Sequence, residues 1–214
     1  MGEPLPRGRH KLAAEDVIAS QRERLLRAML ECVAERGFEA TTVPAVVARA
    51  RVSRNAFYAL FTDKVDCFIA ACDQAGDELL DELLALAGQD DWISLVRAGT
   101  RLYLRWWQER PAFSRAYFVG LPVAGDRAVA QRDRQYARFR QMYRGIGRQA
   151  RIEQPGLAPL DDYVTEVLVL ATTELVAAEV RAGRTAQLTE LEAALVFLTV
   201  KLLADDATAR AQSP

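Results

Sequence analysis

The residues of this 214-residue chain best suited to chemistry lie near its front, and they are hydrogen-bond donors rather than nucleophiles. From Arg51 to Lys64 the sequence reads R-V-S-R-N-A-F-Y-A-L-F-T-D-K. Arginine pairs bidentately with guanine and asparagine with adenine, while an alanine methyl can meet the thymine methyl. Arg54, Asn55, Ala56 and Ala59 therefore form a set able to read base edges. Thr42 and Lys64, at two helix starts, and the Tyr58 hydroxyl are placed to hold phosphates. Thr41, Arg51 and Ser53 complete the candidate contact set.

Other chemistries lack their groups. The single histidine, His10, sits in a polar N-terminal stretch, which argues against a histidine triad, an H-E-x-x-H zinc site or a histidine general base. No Gly-rich phosphate loop is present, so no catalytic residue, metal or cofactor is expected and the chain is not read as an enzyme. Cys32, Cys67 and Cys72 form neither an even framework nor a C-x-x-C pair, the pattern of reduced thiols in a cytoplasmic protein. No apolar run reaches the roughly 18 residues of a membrane span, so no membrane partner is expected. Twenty-eight basic and 29 acidic residues give a net charge of −1, but residues 1–64 carry +3 and the remainder −4. A nucleic-acid site belongs at the front.

The elements that must position these residues are helical. No stretch alternates with period 2, whereas apolar residues recur at helical spacing between Gly and Pro stops. A first helix spans about 14–36, with Ile18, Leu25, Ala28, Met29 and Cys32 on one face, and Gly37 stops it. Thr42 and Ser53 offer hydroxyl N-caps to two short helices, near 43–50 and 54–61. Helices this short cannot stand alone, because nucleation is costly. They must be clamped against the first helix, as a three-helix unit containing a helix-turn-helix. Longer helices follow at about 64–87, 91–110, 112–120, 125–151, 160–181 and 188–204.

Residues 37–68 resemble the DNA-binding segment of TetR-type (tetracycline-repressor-like) transcriptional regulators. The resemblance is carried by Gly37, Phe38, Thr41, Thr42, Val43, Val47, Ala48, Ala50, Val52, Ser53, Phe57, Tyr58, Phe61, Lys64 and Phe68, in register. Arg51 stands where that family has its turn glycine, Asn55 replaces a second glycine, and Leu60 replaces an aromatic or histidine. Arg51 is thus expected at positive φ, at a cost of roughly 1 kcal/mol. The resemblance implies an all-α fold of about nine helices, an N-terminal three-helix helix-turn-helix DNA-binding domain followed by a C-terminal helical ligand-binding and dimerisation domain. We expect a flexible basic arm over 1–12 (Arg7, Arg9, His10, Lys11), the head over 13–64, the body over 65–206 and a frayed tail over 207–214. It further implies a homodimer on double-stranded DNA with a palindromic operator, most simply a repressor released by a small apolar or aromatic ligand. An interaction module of the same fold without DNA binding is the alternative, separable by the salt dependence of DNA affinity.

The body has two further sets. An aromatic interior is expected from Tyr103, Trp106, Trp107, Phe113, Tyr117, Phe118, Tyr136, Phe139, Met142 and Tyr143. Gly99 and Thr100 lie among them, and Thr173 and Glu174 offer polar groups, the make-up of a ligand pocket. The last two helices are apolar on more than one face, which one core cannot absorb. Val164, Leu168, Ala171, Leu175, Leu191, Leu195, Leu198 and Leu202 are the expected seam of a two-fold four-helix bundle between protomers. The arginine stripe Arg140, Arg144, Arg148 and Arg151 is expected to be a solvated face, with recognition of an anionic ligand as the alternative.

Overall fold

The computed structural model describes residues 14–88, 91–157 and 160–204, which form nine α-helices and no strand. The expected basic arm and frayed tail lie outside these residues. Helix α1 (Ala14–Arg36) is followed by α2 (Val43–Ala50), α3 (Arg54–Leu60) and α4 (Lys64–Leu84). The body continues with α5 (Trp92–Gln108), α6 (Pro111–Arg115), α7 (Asp126–Glu153), α8 (Asp162–Arg181) and α9 (Glu192–Leu203).

Local chemistry sets the helix starts. Side-chain oxygens of Thr42, Ser53, Asp63, Asp91 and Asp161 each accept a hydrogen bond from a backbone N–H of the first turn. This satisfies donors that a helix start leaves free. Three expectations are corrected. Helix α4 ends at Leu84, and residues 85–88 continue as turns closed by Gly88 at φ +100°. The helix expected over 112–120 becomes α6 and a single π-helical turn, Ala116–Gly120. Pro122, which has no N–H to donate, lies in the 3-10 turn that follows. Before α9, Thr185–Leu191 is likewise 3-10, so Leu188 and Leu191 precede the α-helix instead of opening it.

One apolar core runs from the head into the body, joining Leu25, Met29, Phe57 and Phe68 to Leu104, Trp107 and Leu195. A second, smaller core gathers Trp92, Val96, Leu168, Val196 and Val200 at the far end. The two ends are tied by close contacts. A Cβ on Gly120 would lie 2.6 Å from Val33 of α1, so only glycine lets the π-turn approach the head so closely. Asp63, the cap of α4, also pairs with Arg127 of α7 at 2.8 Å. Among the described residues, no helix is long and apolar enough to cross a membrane.

Candidate nucleic-acid interface and ligand cavity

Helix α3 is anchored by Phe57, which is fully buried and packs on Phe61 with ring centroids 5.5 Å apart. With Phe57 and Val52 turned inward, Arg54, Asn55, Tyr58 and Ala59 are exposed and Ala56 is half-buried. The Arg54 guanidinium lies 5.7 Å from the centre of the Tyr58 ring. Ser53 Oγ accepts from Ala56 N at 3.1 Å, and Thr42 Oγ1 from Ala45 N at 3.4 Å, so both hydroxyls also start their helices.

The turn between α2 and α3 holds Arg51 at φ +53°, as its place in the turn predicts. The conformation is supported from two sides. Val52 N donates to Val47 O at 3.1 Å, closing the end of α2. Arg24 of α1 donates to the carbonyls of Ala50 and Arg51, each at 3.3 Å. Arg49 grips the Glu35 carboxylate with both amine nitrogens, at 2.6 and 2.5 Å, and that hydrogen bond holds Glu35 below its ordinary pKa. The α2–α3 unit is thereby fixed on α1.

Two expected contact residues are occupied differently. Thr41 is fully buried and its hydroxyl donates to Gly37 O at 2.8 Å, so its side chain faces the head's interior. Lys64 Nζ donates to the carbonyls of Phe38, Glu39 and Thr41 at 3.0–3.1 Å and lies 4.5 Å from the Phe38 ring centre. Its three donors thus brace the loop before α2 and leave only its charge for a phosphate.

The body holds a partly open cavity of about 370 Å³ between α4, α5, α7, α8 and α9. Of the aromatics expected there, Tyr103, Trp107, Tyr117, Tyr136, Phe139 and Tyr143 line it, with Met142, Gly99, Thr100 and Thr173. A Cβ on Gly99 would meet nothing nearer than Leu83 at 3.8 Å, so this glycine borders the hollow rather than a tight helix contact. Trp106, Phe113 and Phe118 do not line it. They pack on Trp107 with centroids 5.1, 5.2 and 4.6 Å away, as the wall behind the cavity. Glu174 is also excluded: one residue beyond Thr173, it points outward and pairs with Arg181. Sequence reasoning missed Val169, Thr172, Leu195 and Thr199 as lining residues. The hydroxyls of Thr172 and Thr199, buried among apolar residues of the last two helices, were the available signal.

The four tyrosines of the cavity wall are neutral phenols. Burial pushes the phenols of Tyr103, Tyr117, Tyr136 and Tyr143 above their ordinary range. Elsewhere burial does the same to the three free thiols, raising Cys67 to about 12, which removes them as nucleophiles.

Residues 25–71 match the model of bacterial regulatory proteins of the tetR family. Its head thus matches that family, and its fold is the TetR-type fold. Among solved structures it is similar to the regulator FadR of Bacillus subtilis in complex with stearoyl-CoA, with a TM-score of 0.75 at 14% identity over 83% of this chain and 97% of that one. It is similar to SmeT, repressor of the Stenotrophomonas maltophilia multidrug efflux pump SmeDEF, with a TM-score of 0.71 at 18% identity over 87% and 92%. TylP, a tetR regulator of Streptomyces fradiae, gives a TM-score of 0.65 at 22% identity over 90% of each chain. At these identities the likeness is one of fold. No curated protein matches significantly.

The residues expected at a dimer seam differ in exposure. Leu168 and Leu195 are consumed inside the protomer, each at most 1% exposed, because they fill the cores beside α5 and α7. Val164, Ala171, Leu191, Leu198 and Leu202 are half-buried, and of the expected set Leu175 is exposed. The open apolar face of α8 instead runs through Tyr163, Val167 and Leu170, with Phe197 exposed on α9. Along α7, Arg140 and Arg144, expected on a solvated face, are half-buried and pair with Glu166 and Asp162 of α8, each at 2.7 Å.

Proposed function

We propose that the chain is a homodimeric, sequence-specific DNA-binding transcriptional regulator whose hold on a palindromic operator is set by a small molecule in the body cavity. The observation that carries this is the outward face of α3. Arg54, Asn55, Tyr58 and Ala59 stand exposed around a buried Phe57 anchor, and Arg51 and Arg54 pair with no carboxylate among the described residues. A helix so presented fits a major groove. Thr42, Ser53 and Lys64 lie at helix starts beside that face, where backbone N–H groups and added positive charge favour phosphates. The domain division follows: residues 13–64 read DNA, while residues 65–206 bind ligand and partner.

The exposed apolar face of α8 with Phe197 supports pairing of two protomers, because an apolar strip this long on paired helices is best covered by its own copy. Two heads would then meet successive major grooves one turn apart. A ligand preferring one head spacing over another shifts the dimer on or off DNA only by its differential affinity for the two states. Repression is the simplest output of an operator-bound dimer.

The test is selection of bound fragments from random duplex DNA by wild type beside Arg54→Ala with Asn55→Ala. We expect an enriched inverted repeat, absent in the variant, and an affinity that falls steeply with salt. Lys64 is left intact, since its bonds to the loop carbonyls would confound folding with contact. A folded dimer that enriches nothing and shows a flat salt response would favour the interaction module.

A further inference from the structure

We infer that the molecule accepted by the cavity is an uncharged aromatic amphiphile bearing at least two hydrogen-bonding oxygens, and that carboxylates and acyl thioesters with charged heads are excluded. The inference rests on the reading of this cavity as the ligand site, and it names what that site selects.

Charge comes first. Asp91 is the one charged residue lining the cavity, and it is already committed. Its oxygens accept from Ser94 N at 2.8 Å and Ser94 Oγ at 2.7 Å, hydrogen bonds that hold its pKa below the usual carboxylate range. No lysine or arginine lines the space. Of the arginines next in sequence to the α7 lining residues, Arg138, Arg140 and Arg144 are engaged by carboxylates of α4 and α8, while Arg148 lies beside Gly145 without lining the space. An anion held between these walls would find no cation among the lining residues and one like charge, which low-dielectric surroundings disfavour.

The hydrogen-bonding groups define the positive requirement. The Tyr103 and Tyr136 phenols both turn to Thr173, while Tyr143 lies beside Thr172 and Thr199. Thr172 and Trp107 also line the cavity, but Thr172 Oγ1 and Trp107 Nε1 are themselves buried beside the Tyr143 and Tyr103 phenols. Tyr136 and Tyr143 are seven residues apart on one helix, about 10 Å along its axis. Their phenols meet α8 at the consecutive residues Thr173 and Thr172, so the cavity offers neutral hydrogen-bonding groups at two neighbouring points. Between them Phe139, Trp107 and Tyr117 supply aromatic walls.

The test titrates the full chain with biphenyl-4,4′-diol, 4-hydroxybiphenyl, biphenyl-4,4′-dicarboxylate and stearoyl-CoA, read by tryptophan fluorescence and calorimetry. We expect the diol to bind saturably, the mono-ol more weakly, and both anions at least tenfold more weakly than the diol. Tyr143→Phe should weaken the diol about 2- to 13-fold, one hydrogen bond's worth, with an unchanged melting curve. Thr199→Val is a second variant should the first perturb folding. Either anion binding as tightly as the diol would overturn the inference, as would no saturable binding of any neutral member up to its solubility, or indifference of the diol to both variants. The diol is also added to a complex of the chain with its selected operator. Binding that depends on Tyr143 yet leaves DNA affinity unchanged would support the ligand class and refute the ligand-responsive regulator.

Discussion

Around α2 and α3 the polar groups that fix the backbone are paired: Thr42 and Ser53 cap their helices, Lys64 takes three carbonyls, Arg24 takes two, and Arg49 takes Glu35. In the body the balance is reversed. Trp92, Trp106 and Trp107 bury indole nitrogens without a partner, Thr172 buries a hydroxyl, and a cavity remains open beside two of these four groups. A buried unpaired polar group costs about 1–3 kcal/mol, so a body built this way trades stability for a space with specific unmet demands. The head is built to hold one shape. The body is built to be completed.

The largest test of this contrast is a matched truncation. Phe57 is fully buried and Phe139 is half-buried on the cavity wall. Phe57→Ala should cost about 3–5 kcal/mol, the usual price of an unfilled core site. Phe139→Ala should cost under about 2 kcal/mol, because much of its surface already faces a hollow. Urea denaturation of both variants measures the difference. Equal losses would mean the body is as tightly packed as the head.

This contrast also explains what was legible in the sequence. The head's starts and stops were readable because each is a local event: a hydroxyl cap, a proline in the first turn, a residue forced to φ +53°. Which aromatics border the cavity was not local. Trp106 and Trp107 are neighbours in sequence, and only the position of Phe113 and Phe118 behind them puts one on the wall and the other in the core. Thr173 and Glu174 differ likewise by 100° around α8, with α8 oriented by long-range packing on α7 and α9. Leu168 and Leu195 turned inward for the same reason: helices apolar on several faces do not say which face the protomer itself will use.

The head's outward face gives the next effect. Arg54→Ala should weaken operator binding by about 1–3 kcal/mol and relax selectivity at one base pair, leaving the melting temperature unchanged. A uniform loss across all sequences would reassign Arg54 to a phosphate.

Two opposite glycine exchanges follow, each smaller. Arg51→Gly should stabilise the head by about 0.5–1 kcal/mol by relieving the left-handed backbone. Gly99→Ala should stabilise the body by a similar amount, about 0.5–1 kcal/mol, since α5 gains helix propensity and the new methyl meets only Leu83 at ordinary contact distance. Thermal melts of the two variants read both. A destabilised Gly99→Ala would mean that α5 closes on its neighbours more tightly than its surroundings show.

The smallest effect lies where head and body share a helix. Asp73 of α4 accepts hydrogen bonds from Gln131 and Gln135 of α7, and Gln135 also donates to Asp77 at 3.3 Å. Burial, with the like charge of Asp77 adding to it, lifts the Asp73 pKa, although the two glutamines oppose the shift. An acid whose folded pKa is raised contributes its stability below the unfolded pKa and loses it as pH rises through the folded one. At neutral pH, ionised Asp73 therefore weakens the seam between α4 and α7. Asp73→Asn keeps an acceptor for both glutamines and removes the charge, so it should raise the melting temperature at neutral pH by about 2 °C. The gap should close as pH falls into the carboxylate range, where wild-type Asp73 takes up its proton. A gap that persists at low pH would show that the glutamine contacts, not the charge, set the strength of this joint.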